Sequence, residues 1–162
     1  MARSTFLARM IGAATLDVAT YEEVEHDTDA TLQAAGVVAV AAVVQGLVSP
    51  AGVISGVVGA LLGWLAYAGL TYFIGTRLFG GTATWGELLR TLGFAYTVAL
   101  FSILALIPFL GILVGLAVFV WGIAAGVVAI RQALDVSTGQ AIVTGLLGWV
   151  AMFVVYMLLP GI

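Results

Sequence analysis

The sequence predicts an all-α fold, a polytopic membrane bundle of five transmembrane helices preceded by a short amphipathic N-terminal helix. Three observations predict it. The 162 residues are 63% hydrophobic and 8% charged, with a mean hydropathy of +1.22. A soluble domain carries about 25% charged residues and could not cover its surface with so few. The apolar residues fall into five runs of membrane-crossing length, none with a charge near its centre. The charges gather in the first thirty residues and at the ends of the runs.

Residues 1–30 form a leader and residues 31–162 the transmembrane domain. In the leader, Phe6, Leu7, Met10, Ile11, Ala14 and Val18 recur at helical spacing between Arg3, Arg9 and the first acids. That pattern predicts a short amphipathic helix lying in the membrane interface. An acidic run follows: Asp17, Glu22, Glu23, Glu25, Asp27 and Asp29. A secretory signal peptide is not expected, because acids precede the first long apolar run and no small-residue cleavage site follows it.

The spans are placed at about 31–48, 53–76, 85–107, 109–131 and 139–159. Ser49-Pro50-Ala51-Gly52 separates the first two, and Phe79-Gly80-Gly81-Thr82 the next pair. Pro108 opens a tight hairpin, and Asp135-Val136-Ser137-Thr138 precedes the last span. Thr84-x-x-Glu87 and Ser137-x-x-Gln140 match the capping box at two span starts, and Thr20-x-x-Glu23 matches it in the leader.

With five spans, all five Arg (3, 9, 77, 90 and 131) fall on one face and the other face has none. The positive-inside rule makes that face cytoplasmic, with the N-terminus inside and the C-terminus outside.

Glycines recur along one side of the second span, at Gly52, Gly56, Gly59 and Gly63, and of the fourth, at Gly111, Gly115, Gly122 and Gly126. Such stripes let helix backbones approach closely, within the bundle or across an interface with a second copy or another subunit. Trp64, Trp121 and Trp149 fall mid-span rather than at the interfaces where anchors belong. They are either core filling or contacts for a lipid or similar ligand, with Tyr67 and Tyr96 beside them. Gln45 is the one intramembrane amide that its own helix cannot satisfy. No Asp, Glu, His, Lys or Arg lies deep in a span, which argues against an ion-coupled transporter.

The chain has no Cys and no Lys. Disulfides, thiolate chemistry and Cys-metal sites are therefore excluded, and five scattered Arg do not make a nucleic-acid surface. No catalytic constellation and no cofactor is expected. His26 is the only imidazole, with no serine elbow to serve. The run Glu23, Glu25, His26, Asp27, Asp29 does not have the spacing of a calcium loop, and no metal is assigned. The acids Glu22, Glu23, Glu25, Asp27 and Asp29 are instead candidate docking residues for a cytoplasmic partner.

The order of these features resembles the bacterial branch of the Yip domain family. The resemblance rests on Leu16-Asp17-Val18-Ala19-Thr20-Tyr21-Glu22-Glu23-Val24-Glu25 before the first span and on Tyr72-Phe73-Ile74-Gly75. It rests also on Trp85-Gly86-Glu87-Leu88-Leu89-Arg90-Thr91-Leu92-Gly93-Phe94, on Ile107-Pro108-Phe109-Leu110-Gly111, and on Trp121 followed by Ala129-Ile130-Arg131-Gln132-Ala133-Leu134. It covers nearly the whole chain and implies a cytoplasmic N-terminus, five clustered spans, an external C-terminus and, for bacterial members, the inner membrane. Eukaryotic members carry Asp-Tyr-Tyr-Gly-Pro-type and Gly-Tyr-type signatures and a longer N-terminal domain that touches Rab GTPases. This chain has neither, so GTPase binding is not implied and no functional residue is transferred.

The reading that follows is a non-catalytic membrane scaffold or accessory subunit. It would self-associate or bind other membrane-protein subunits, with membrane lipid around it and no nucleic acid. The alternative is a passive channel, transporter or lipid-handling protein.

Overall fold

The computed structural model describes residues 4–48 and 53–158, all helical or in short connections. The helices are α1 (Phe6–Ala14), α2 (Val18–His26), α3 (Ala30–Val48), α4 (Val53–Phe79), α5 (Trp85–Ala95), α6 (Gly111–Leu134) and α7 (Thr138–Leu158). A 3-10 helix over Tyr96–Leu106 continues α5. Five segments are long and apolar enough to cross a membrane: Ala30–Leu47, Val53–Phe79, Trp85–Leu106, Gly111–Leu134 and Thr138–Leu158. Gly52 lies outside the described residues.

The helix starts follow local chemistry. At α5 the Thr84 hydroxyl accepts from the Glu87 amide while the Glu87 carboxylate accepts from the Thr84 amide at 2.7 Å, closing the predicted capping box. Ser137 and Gln140 exchange the same pair of bonds at the start of α7. The box expected at Thr20 does not form. Asp17 caps α2 instead, its carboxylate accepting from the amide and hydroxyl of Thr20. A charged acceptor three residues earlier outcompetes the Thr20 hydroxyl for the free N–H groups at the helix start.

Small residues line the seams between helices, but most are alanines. Ala30, Ala34 and Ala41 on α3 and Ala125, Ala129 and Ala133 on α6 are buried. So are Trp64, Ala68, Thr71 and Gly75 on α4, and Ala141, Thr144 and Gly148 on α7. Steps of three, four or seven keep each set on one side of its helix. The glycines that are pressed hardest are Gly12 of the leader against Thr20 and, in the bundle, Gly75 and Gly81 under Leu134, Gly93 on Ala34, and Gly148 on Tyr67 and Thr71.

The third span does not begin level with its neighbours. The Trp85 indole nitrogen sits 3.7 Å from where a Cβ of Gly69 would stand. Gly69 is about 15 Å of helical rise before the end of α4 at Phe79. Residues 80–84 climb back along α4, with the Gly81 amide on the Gly75 carbonyl and the Thr82 amide on the Leu134 carbonyl, both at 3.2 Å. The sequence predicts one α-helix across 85–107. The 3-10 half replaces part of it and is longer per residue, about 2.0 Å of rise against 1.5 Å. Eleven residues then cover about 22 Å rather than about 16 Å, which recovers part of the recessed start.

The leader packs against α5, its 3-10 extension and α6, on the side of the recess. Arg9, 1% exposed, donates to Glu23 at 2.8 Å, to Asp27 at 2.7 Å and to Gln33 at 2.9 Å. Arg90, 6% exposed, donates to the carbonyls of Val24 at 3.0 Å and Glu25 at 2.9 Å. These are carbonyls of the last turn of α2, where helical groups lack partners and a cation is favoured. The Tyr21 hydroxyl reaches the Ala13 carbonyl at 3.1 Å, and Phe6 meets Phe94 edge-on with centroids 6.3 Å apart. Helix α1 turns Arg9 inward and leaves Phe6, Leu7 and Ile11 exposed. Its polar group meets protein and its apolar edge faces the surroundings, as suits a helix lying at a bilayer.

Candidate functional site

Two places in the fold gather groups that could meet a partner or ligand. The first is the acidic face made by the leader. The fold divides the predicted docking residues. Glu23 and Asp27 turn inward onto Arg9. Burial would raise the Glu23 carboxyl, but the Ser4 amide and the Arg9 guanidinium outweigh it and hold Glu23 below its ordinary range. Burial likewise opposes the charge on Arg9, and the two carboxylates more than offset it. Glu22 and Asp29 remain exposed, and Glu22 accepts a bond from the Gln132 side chain.

Glu25 is only 6% exposed. Burial raises its carboxyl to about 7; His26 pulls the other way, while Glu22, Asp135 and Glu87 add to the rise. These acids come from three elements: α2, the first turn of α5 and the corner after α6. Glu87 and Asp135 are the members that sequence reasoning missed. Their signal was their place beside span ends, where Glu87 also caps α5 and Asp135 accepts from the Thr82 hydroxyl at 3.1 Å. Among the described residues no ion pair reaches Glu22, Glu25, Glu87 or Asp135. Nδ1 of His26 lies 2.9 Å from the Glu22 carbonyl, and that bond leads the causes that raise the imidazole above its ordinary value. Ligand atoms of Glu22, Glu25 and His26 lie within 4.8 Å of one another. The run of acids read from the sequence thus separates into a neutralised group around Arg9 and an unneutralised group around Glu25.

The second place is a cavity of about 950 Å³ between the helices, open on one side where lining residues such as Phe119, Trp149 and Phe153 are exposed. Ligand sites commonly span about 300–1,000 Å³, and close-packed interiors leave few voids larger than a water. Its walls come from α3, α4, α5 with its 3-10 extension, α6 and α7. The glycine stripes face it. A Cβ added at Gly59, Gly122 or Gly126 would meet nothing within 4 Å, and the same holds for Gly115, about two turns before Gly122 on the same side of α6 and not part of the lining. Of the other described stripe glycines, Gly56 comes within 3.9 Å of an α3 carbonyl, Gly63 within 3.6 Å of the Tyr156 hydroxyl on α7, and Gly111 meets only its own hairpin. The α4 stripe therefore touches neighbouring helices at Gly56 and Gly63, while Gly59 and the α6 stripe beyond Gly111 make no close helix-on-helix contact. Spacing shows that backbones are able to approach, and the alanine seams hold these faces apart.

The three mid-span tryptophans separate as well. Trp64 is 4% exposed and donates to the Leu89 carbonyl at 3.0 Å. It fills the core. Trp121 is 46% exposed, and its indole N–H satisfies the Ala14 carbonyl at the end of α1, at 2.7 Å. Only Trp149 lines the cavity, with its ring 6.1 Å from that of Phe119. Tyr67 and Tyr96 line it too, and the Tyr67 hydroxyl is satisfied by the Gly145 carbonyl at 3.1 Å.

Comparison with curated proteins and with solved structures gives no match. A family model, the Yip1 domain, matches residues 5–159, and this range takes in the leader as well as every span. The match agrees with a five-span bundle into which the leader is folded. The chain belongs to the Yip1 domain family.

Proposed function

We propose that this protein is a non-catalytic membrane scaffold or accessory subunit that holds a basic segment of another membrane-associated protein against its acidic face. The observation that carries this reading is the convergence of Glu22, Glu87 and Asp135 around buried Glu25, with no ion pair to neutralise them among the described residues. The convergence is rigid, because Arg9 and Arg90 fix the leader to the bundle from inside. A preorganised charged face costs little ordering on binding and steers oppositely charged partners. The leader side holds Arg77 and Arg131 in the last turns of α4 and α6 and Arg90 in the second turn of α5, which supports placing it in the cytoplasm. The protein then sits as a multi-pass subunit of a bacterial inner membrane, with its C-terminus outside.

Photo-crosslinking in intact membranes tests the reading. A photoreactive side chain at Glu22 or Asp135 is expected to trap one discrete protein partner. The adduct should vanish when Glu87 is reversed to Lys in the same chain. If these positions yield the same adducts as Ile54 on the lipid-facing side, the face is not a docking site.

A further inference from the structure

We propose that the intramembrane cavity binds the hydrocarbon chain of a membrane lipid, acyl or isoprenoid, with the lipid's polar group beside Gln45 and Tyr156. The cavity is long in its lining. On α7 it runs from Ile142 to Tyr156, about 21 Å of helical rise, and on α6 from Val118 to Ile130, about 18 Å. That is more than half of the roughly 30 Å hydrocarbon core, so the site lies at the depth where chains are the surrounding solvent.

The lining suits a chain rather than water. Gly59, Gly63, Gly122, Gly126 and Gly145 remove side chains from one wall to the other, and apolar residues make most of the rest. An apolar cavity stays dry and takes apolar guests. Its polar groups are few, and they are not spread evenly. Tyr67 already spends its hydroxyl on Gly145. Gln45 and Tyr156 lie toward the end away from the leader, the first near the end of α3 and the second two residues before the end of α7. The Tyr156 hydroxyl stands 3.6 Å from where a Cβ of Gly63 would be, beside the glycine-lined stretch. One polar end and a long apolar body is the pattern of a membrane amphiphile. The site is separate from the acidic face, so lipid binding stands or falls independently of partner docking.

The test uses the full chain in nanodiscs of phosphatidylethanolamine and phosphatidylglycerol. Two probes are added in turn: a phosphatidylglycerol with a diazirine near the end of one acyl chain, and a polyisoprenyl phosphate with a diazirine in its terminal unit. Photolysis and peptide mapping are expected to place adducts on Tyr67, Tyr96 or their cavity neighbours, and the probe that does so identifies the chain type. The double variant Gly122→Leu with Gly126→Leu fills the cavity and should lower these adducts several-fold. Gly36→Leu, equally open but on the side of α3 opposite the lining residue Gln45, should leave them unchanged. Adducts from both probes confined to outward residues such as Ile54 and Leu113 would overturn the proposal. So would cavity adducts that the folded double variant does not reduce. If that variant does not fold, the wild-type map alone decides between these outcomes.

Discussion

Arg9 is the residue on which the leader turns. Its guanidinium is almost fully buried against Glu23 and Asp27, and a buried pair stripped of one member leaves an uncompensated charge. Arg9→Met is expected to destabilise the protein by about 3 kcal/mol, read as a lower melting temperature in mild detergent, and to free the leader for proteolysis. Glu25 makes the opposite kind of prediction. Its folded carboxyl stands at about 7 against an ordinary 4.5, so the fold prefers the neutral form. Below pH 4.5 the group is neutral folded and unfolded and has no effect. Stability falls as pH rises through 7, with a limit of about 3 kcal/mol from the size of the shift. Glu25→Gln removes that fall: it should match the wild type near pH 5 and exceed it in melting temperature near pH 8. Parallel pH profiles for the two proteins would show that Glu25 is ionised at no cost.

At the scale of the helix, glycine has two uses in this chain, and substitution separates them. Gly93 lies on Ala34, where an added Cβ would come within 2.6 Å of the alanine Cβ and 3.2 Å of its Cα. Neither atom can move without shifting a helix, so Gly93→Ala is expected to cost about 1–3 kcal/mol. Gly122 faces the cavity with nothing within 4 Å. There Gly122→Ala should gain roughly 0.5–1 kcal/mol from helix propensity alone. Thermal melts of the two variants check the contrast, and equal effects would contradict the division into packed seams and an open face. The hairpin between the 3-10 helix and α6 holds a third element-scale feature. Phe109, fully exposed, takes a φ of 70° in the turn opened by Pro108. The left-handed region costs a non-glycine residue about 1–2 kcal/mol, so Phe109→Gly should raise the melting temperature in detergent.

Across the whole molecule, the five spans, two of the three capping boxes and the placement of Arg9, Arg77, Arg90 and Arg131 toward the leader side were legible in the sequence; Arg3 lies outside the described residues. Each depends on spacing within one segment, and apolar periodicity and caps are local signals. The partners of Arg9 and Arg90 were not legible. The Arg90 carbonyls lie 65 and 66 residues away in the chain, and only the folded bundle brings them together. The recess at Trp85 and the 3-10 extension were hidden too, because hydropathy fixes that a segment crosses and not where it begins along its neighbours. The same limit explains the glycine stripes, whose spacing is common to a packed face and an open one. Trp64, Trp121 and Trp149 looked alike by depth, yet one fills the core, one ties down α1 and one lines the cavity.

The proposed function joins these scales: the leader is locked onto the bundle beside Glu22, Glu87 and Asp135, and this acidic face is proposed to dock a partner. Native mass spectrometry of the protein released from gently solubilised membranes tests it most directly. The account predicts the chain in complex with a second protein subunit, and loss of that subunit in a Glu87→Lys, Asp135→Lys double variant that keeps its melting temperature. A wild-type chain that appears alone, or a companion that the charge reversals leave in place, would contradict it.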